Sequence, residues 1–373
     1  MGAKRMPAAA VYFTDMRTRQ GANLLQKTQR LFQAAGFSEC IRPNDLVAVK
    51  LHWGEVGNLA YLAPPLVRAV VDQVKECGGK PFLTDSNTLY RGGRRNAVDN
   101  ILTAFHNGFS PETVGAPIIV ADGIRGMDYV SVPGRGSHFQ SLKICSAIHH
   151  ADSLIVLSHV KGHLLHGFGG ALKNLGMGCA SPAGKQAMHS DLRPRVKKSA
   201  CVGCGTCVRY CPTGAVQMGE DRRAFIRQAL CIGCGECTAV CPADAIPIRW
   251  KAEEKVVQEK TAEYALAALE GKKGRCGFLN FLTHISPDCD CFGWNDAAIA
   301  PDIGILASRD PVAIDEASAR LVNQAPGLPN SKLKDIHARD KIRAVTGVNW
   351  EPILEYGQRI GLGSRRYRQI PLK

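Results

Sequence analysis

Eight of the fifteen cysteines fall into two runs of the same spacing. Cys201-x-x-Cys204-x-x-Cys207-x-x-x-Cys211-Pro212 is followed by Cys231-x-x-Cys234-x-x-Cys237-x-x-x-Cys241-Pro242. A cubane 4Fe–4S cluster needs a thiolate at each of four irons, and two intervening residues let a tight loop aim successive sulfurs at adjacent irons. Gly203, Gly205, Gly233 and Gly235 allow the backbone to close on the sulfides and donate N–H bonds. Pro212 and Pro242 turn the chain away. A zinc site takes four ligands in a closed tetrahedron, which eight duplicated cysteines fit poorly. A disulfide framework needs an oxidising compartment. The opening MGAKRMPAAAVYFTD is basic without a hydrophobic signal core, so it reads as an ordinary N-terminus. The chemistry these residues could do is one-electron transfer through two 4Fe–4S clusters, in a reducing cytoplasm.

Three further stretches carry reactive side chains. His159, Lys161, His163, His166, Lys173 and Asn174 follow an apolar run at 154–157, and ligands of open α/β sheets bind beyond strand carboxyl ends. These residues could hold an anion or a metal, with His163 or His166 donating protons and Lys161 and Lys173 holding an anionic group. The alternative is a polar loop with incidental histidines. Cys179 and Lys185 come next, with His189 close behind. In Asp288-Cys289-Asp290-Cys291 the C-x-C pair cannot easily close a disulfide on itself, but it can present two thiolates to one metal or cluster edge. Cys276 lies upstream. A third cluster or a mononuclear metal held by Cys179, Cys289 and Cys291 with a histidine is one expectation, and ordinary buried thiols are the other. Cys40, Cys77 and Cys145 read as core. His52, Glu55 and Asp85 also follow strands and would line one pocket with Lys161 and Lys173, although caps and turns also account for residues 85–87.

The elements that must position these groups alternate. Strands are expected at 9–14, 46–51, 81–84, 118–121 and 153–158, with helices at 23–35, 65–77 and 96–105 between them. After the cysteine runs come a helix at 255–269, strands at 275–282 and 299–306, and a helix from Asp310-Pro311 through 321 with Asp310 as N-cap. The fold class is α/β, a mostly parallel sheet flanked by helices. The tail after Leu321 looks too short and irregular for an independent core. The simplest organisation is an α/β domain in two parts, 1–197 and 250–373, with a module at 198–249 inserted between them. Hydrophobic residues at 45% support a real core, and no apolar stretch is long enough to span a membrane. The net charge of +14 favours an acidic redox partner such as a ferredoxin or flavodoxin, or an anionic small-molecule substrate. Nucleic acid is not expected, because the basic residues are scattered and no aromatic-interleaved basic motif occurs. No G-x-G-x-x-G follows the first strand, which argues against a nicotinamide.

The two cysteine runs resemble those of bacterial two-cluster ferredoxins, which implies a ferredoxin-like (βαβ)2 module. In that pattern the fourth cysteine of each run ligates the other cluster. The resemblance implies Cys201, Cys204, Cys207 and Cys241 on one cluster, and Cys231, Cys234, Cys237 and Cys211 on the second. The stretches VKLHWGE, SHVKGHLLHGFGGALKNLGMGCASPAGK, DCDCFGWND and PDIGILASRDPVAIDEAS resemble the domain of unknown function 362 family, which includes many iron–sulfur proteins with a ferredoxin module in the same chain. The likeness covers roughly residues 6–322. It implies that Lys161, His163, Lys173, Asn174, Cys179, Cys289, Cys291, Asp310 and Asp315 belong to motifs, without assigning their roles. The chain is also distantly similar to the N-terminal domain of nickel-pincer lactate racemases, a fold-level likeness that carries no chemistry. The function expected is a ferredoxin-coupled reductase with its substrate or metal site in the α/β domain. The alternative is an electron carrier or assembly subunit of a larger redox complex.

Overall fold

A computed structural model describes residues 7–90, 92–189, 193–231, 235–247 and 253–372. Eight strands form one sheet: β1 (Ala9–Asp15), β2 (Leu46–Lys50), β3 (Lys80–Asp85), β4 (Ile118–Val120), β5 (Ser153–His159), β6 (Cys276–Leu282), β7 (Gly304–Ser308) and β8 (Tyr367–Pro371). Their spatial order is β8-β1-β7-β6-β5-β2-β3-β4. β7 runs antiparallel to both neighbours, and every other adjacent pair is parallel. β5 shows why such a strand is apolar almost throughout. Leu154 and Val156 enter the core on one face, Ile155 and Leu157 the core on the other, so the period-two alternation of a one-sided strand is lost.

Helices α1 (Leu24–Ala34) and α2 (Pro64–Glu76) cover one face, burying Leu31, Phe32, Val67 and Val70 against Val49 and Leu157. α3 (Ala97–His106) follows β3. The other face carries α4 (Ala171–Gly176), α5 (Pro182–His189), α6 (Glu254–Ala268), α7 (Pro311–Gln324) and α8 (Glu351–Arg359). Tyr264, Val312 and Leu354 pack there with Leu154 and Phe278. α7 begins where Asp310 accepts the N–H groups of Val312 and Ala313, each at 2.9 Å, with Pro311 in its first turn.

Two expectations need correcting. The strand placed at 299–306 begins only at Gly304. Upstream of it Pro301 has no N–H, while the N–H groups of Ile299 and Ile303 bond to Ile285 and Leu282 in and after β6. The tail is not irregular. α8 packs against α6, and β8 adds to the sheet beside β1. Local sequence does not show this, because β8 is exposed and pairs across the whole length of the chain.

Strands from both sides of the cysteine runs share this sheet, since β5 pairs with β6. Between them, the described residues of 193–247 carry a small apolar cluster of their own. They have two one-turn helices, Thr206–Arg209 and Glu236–Ala239, an antiparallel pair Val216–Met218 with Ala224–Ile226, and a core of Val216, Ala224, Ala245 and Ile246. Along the chain, β2, β3 and β4 step outward in one direction, and β5 and β6 in the other. The reversal leaves a crevice between the carboxyl ends of β2 and β5, where α/β sheets bind ligands.

Candidate active site

A cavity of about 930 Å³ opens at that reversal. Each strand end supplies part of its wall: Lys50 at the end of β2 with His52 and Glu55 after it, Asp85 at the end of β3 with Ser86 after it, and His159 at the end of β5 with Lys161 and His163 after it. α4 adds Lys173 and Asn174, α5 adds Lys185 and His189, and the segment after β6 adds Cys291 and Trp294. The sequence candidates His52, Glu55, Asp85, Lys161, His163 and Lys173 are therefore brought together. His166 is not on the wall. It lies fully buried behind His163, with Nε2 2.9 Å from Thr261 Oγ1.

The floor is a network of buried charges. Lys50 Nζ pairs with Asp85 Oδ1 at 2.9 Å and donates to Asn174 Oδ1 at 2.6 Å. Arg94 holds the other side of Asp85 at 3.1 Å, stands 3.5 Å from Glu55 and bonds the Tyr90 hydroxyl. Asp290 is buried between His159 Nδ1 at 2.8 Å and Lys161 Nζ at 2.9 Å. Burial opposes its charge, but His159 and Lys161 hold its carboxyl below the usual carboxylate range. Burial, with Arg94 nearby, depresses His52 strongly. Lys185 donates to Ser86 Oγ, Asn87 O and Ala180 O at 2.6–2.9 Å, and burial lowers its pKa.

Lys173 differs from the other cations. Its Nζ lies 3.1 Å from Cys289 Sγ, and no carboxylate pairs with it among the described residues. Burial pulls its pKa down, yet Cys289 and Cys291 outweigh this and raise it. Asp315 fixes its position by accepting the first N–H groups of α4, Ala171 at 2.7 Å and Leu172 at 2.9 Å. A Cβ on Gly170 would come within 2.4 Å of that carboxylate, so the approach requires glycine. His163 accepts the N–H groups of Leu165 and His166 on Nδ1, at 3.1 and 3.3 Å, which leaves Nε2 to carry the proton. Burial lowers the His163 pKa, and Cys289 lies near enough to oppose that shift. Cys289 and Cys291 are both free thiols, and each acts on the other's ionisation. Cys291, with Lys173 and His163, holds Cys289 well below the ordinary thiol range, and Cys289 in turn raises Cys291.

Cys179 lies apart from this pair. It sits in the apolar core with Cys145, its Sγ faces Asn174 O, and burial pushes its thiol up to about 11. Among the described residues no three His, Cys, Asp or Glu side chains converge as ligands of a single metal ion. At Cys289 the Lys173 ammonium takes up one side of the sulfur, where it would repel a cation.

Asp122 shapes the β3 side of the site by accepting Asn87 N and Nδ2, both at 3.0 Å, and burial raises its carboxyl to about 6. The unfolded chain ionises this group near the ordinary value, so between about pH 4 and 6 the folded state holds the extra proton. Stability from this group is present below that window and is lost as pH rises through it, by about 3 kcal/mol. In Asp122→Asn, urea midpoints measured across the window should lose this slope. An unchanged slope would assign it elsewhere.

In the module, one small cavity is lined by Cys201, Cys204, Cys207 and Cys241, and a second by Cys211, Cys231 and Cys237. Cys234 lies outside the described residues. Gly205 and Gly235 take φ of 70° and 77° where each run turns into its short helix. Ala224 N–H donates to Cys201 Sγ at 3.4 Å and Ala245 N–H to Cys241 Sγ at 3.2 Å. The second loop lies on α5, where a Cβ on Gly235 would meet Gln186 Cγ at 2.5 Å. Arg95, next to Arg94 of the cavity floor, reaches Cys241 O at 3.0 Å and pairs with Asp244.

Sequence reasoning missed Arg94, Tyr90 and Trp294. Arg94 was one of the scattered basic residues, and only its 2% exposure reveals the role. Trp294 stacks on Phe292 at the cavity mouth, with ring centroids 4.6 Å apart.

Comparisons with known proteins place the chain in a family. It is similar to "Thylakoid-associated protein sll1697" of Synechocystis sp., with 27% identity over 176 residues, 46% of this chain and 51% of that protein. The chain thus matches only about half the length of that relative. Among solved structures, the lactate racemase apoprotein of Thermoanaerobacterium thermosaccharolyticum aligns with a TM-score of 0.38 and 12% identity, over 74% of this chain and 51% of that one. A Thermotoga maritima protein aligns with a TM-score of 0.41 and 10% identity, over 90% and 58%. The family model described as Domain of unknown function (DUF362) matches residues 47–320, and the chain belongs to that family.

Proposed function

We propose that this protein is an iron–sulfur oxidoreductase that delivers electrons to a small anionic substrate in the cavity. The observation that carries the reading is α5. Ala183 and Gln186 on this helix meet the Gly235 loop of the cysteine module, while Lys185 and His189 line the cavity. The cavity lined by Cys211, Cys231 and Cys237, to which Gly235 belongs, is thus separated from the substrate cavity by about one helix, roughly 10 Å.

The cysteines suit 4Fe–4S clusters. Thiols from both runs surround the first cavity, with backbone N–H groups aimed at two of its sulfurs. Cluster ligands bind different irons, so they stand farther apart than ligands of one ion. Cys201, Cys204, Cys207 and Cys241 would hold one cluster, and Cys211, Cys231, Cys234 and Cys237 the other. Such clusters supply single electrons. The chain's own residues do the rest. Lys173 has N–H donors to spare for an anionic group, His163 turns its Nε2 side toward Cys289, and Phe292 and Trp294 cover the mouth with apolar surface. The charge of +14 suits an acidic ferredoxin or flavodoxin as donor.

The test reduces the purified protein with dithionite. It then follows visible absorbance as small carboxylates, phosphate esters and organic disulfides are offered as oxidants. Saturable re-oxidation should fall about a hundredfold in Lys173→Met at unchanged iron content. Re-oxidation by protein carriers alone, equal in both proteins, would leave an electron carrier or assembly subunit instead.

A further inference from the structure

We propose that Cys289 and Cys291 form a redox-active dithiol, and that the cavity's substrate is an organic disulfide carrying an anionic group. This deepens the oxidoreductase reading and rests on it for the source of electrons.

The argument starts from the backbone. Two extended residues apart, Cα atoms stand about 6.6 Å from each other, near the upper limit for a disulfide. Here Phe292 N–H donates to Cys289 O at 3.0 Å, closing a turn that shortens this span. The two free thiols act on each other's ionisation, which lowers Cys289 and raises Cys291. Their surroundings are unequal. Cys291 opens onto the cavity, whereas Cys289 is 1% exposed behind it, with the Lys173 ammonium at 3.1 Å and His163 nearby. The pair therefore holds one proton, with the negative charge on the inner sulfur. A structural thiol in a core needs neither the ammonium nor the cavity. A C-x-C disulfide closes a tight ring and is readily reopened, which suits a turnover intermediate.

The cycle balances with one proton and two electrons. Cys291 attacks one sulfur of R–S–S–R′. The Cys291–S–S–R bond forms, the R–S–S–R′ bond breaks, and Cys289 relays the Cys291 proton to the departing R′S⁻. The Cys289 thiolate then attacks Cys291 sulfur, releasing RS⁻ and leaving the internal disulfide. Two electrons from a low-potential one-electron donor, the class the cysteine module is proposed to hold, and one proton restore thiol and thiolate. The unpaired N–H donors of Lys173 account for the anionic group, and a volume of about 930 Å³ accommodates a tripeptide-sized disulfide.

The probe is oxidised glutathione, added anaerobically to the full-length protein, with peptide mass spectrometry as readout and iron counted on the same samples. Wild type should lose two hydrogens in a Cys289–Cys291 linkage. Cys289→Ser should retain a stable glutathione adduct on Cys291, Cys291→Ser should form none at Cys289, and Lys173→Met should react about a hundredfold more slowly. Wild-type protein quenched early with iodoacetamide should show the Cys291 adduct too, which covers a variant that fails to fold. Two results would overturn the proposal: both cysteines staying unmodified, or metal beyond the module's iron that Cys289→Ser and Cys291→Ser remove. Iron content near zero with the dithiol chemistry intact would instead reject the electron source and leave the dithiol standing.

Discussion

Replacing Asp290 with alanine is expected to destabilise the protein by about 3–5 kcal/mol, the cost of breaking a buried ion pair by removing one partner. The carboxylate is fully buried and compensates two neighbours at once, Lys161 at 2.9 Å and His159 at 2.8 Å. Without it, the Lys161 ammonium keeps only His159 O within reach among the described residues, and the low-dielectric floor of the cavity gives its charge little else. Asp290 also lies between the two cysteines, so its loss should release the turn that holds them. Guanidinium denaturation of Asp290→Ala, compared with Asp290→Asn, measures the effect. The asparagine variant keeps a hydrogen bond to His159 and should lose less. A change under about 1 kcal/mol for alanine would mean that the charges find water.

The second large effect concerns how the two cysteine runs share ligands. If each cluster takes its fourth thiolate from the other run, losing Cys241 removes the cluster held by Cys201, Cys204 and Cys207. Cys241→Ser should then retain about four irons of about eight. Adding Cys204→Ser should cost no further iron, because both residues line the same cavity. Adding Cys237→Ser should remove the remainder, because Cys237 lines the other one. A pattern in which Cys237 and Cys241 behave as one pair would mean that each run serves its own cluster. Iron and sulfide assays on the three anaerobically purified variants distinguish the patterns.

Much of the cavity could be read in advance because parallel sheets deliver their loops to one edge. His52 and Glu55 follow β2, Asp85 closes β3, and Lys161 and His163 follow β5. Once those strands were recognised as parallel, the residues had to converge. Arg94 could not be found this way, because it reaches the floor from a loop that folds back to meet Asp85 and Glu55. Cys179 resembles Cys289 in sequence, yet one sits among core apolar side chains and the other beside an ammonium. Only three-dimensional packing separates them. β8 was missed for a related reason. Its neighbour β1 lies at the opposite end of the chain, and an exposed strand of mixed polarity has no periodicity that marks its partner.

The claim on which the rest depends is that the module holds two 4Fe–4S clusters. Counting iron, acid-labile sulfide and zinc per chain in anaerobically purified wild-type protein, with an electron paramagnetic resonance spectrum after dithionite reduction, tests it most directly. The prediction is about eight irons and about eight sulfides, with the spectrum of two reduced clusters close enough to interact. Zinc in place of iron, or iron without sulfide, would contradict the account and return the cysteine runs to a structural role.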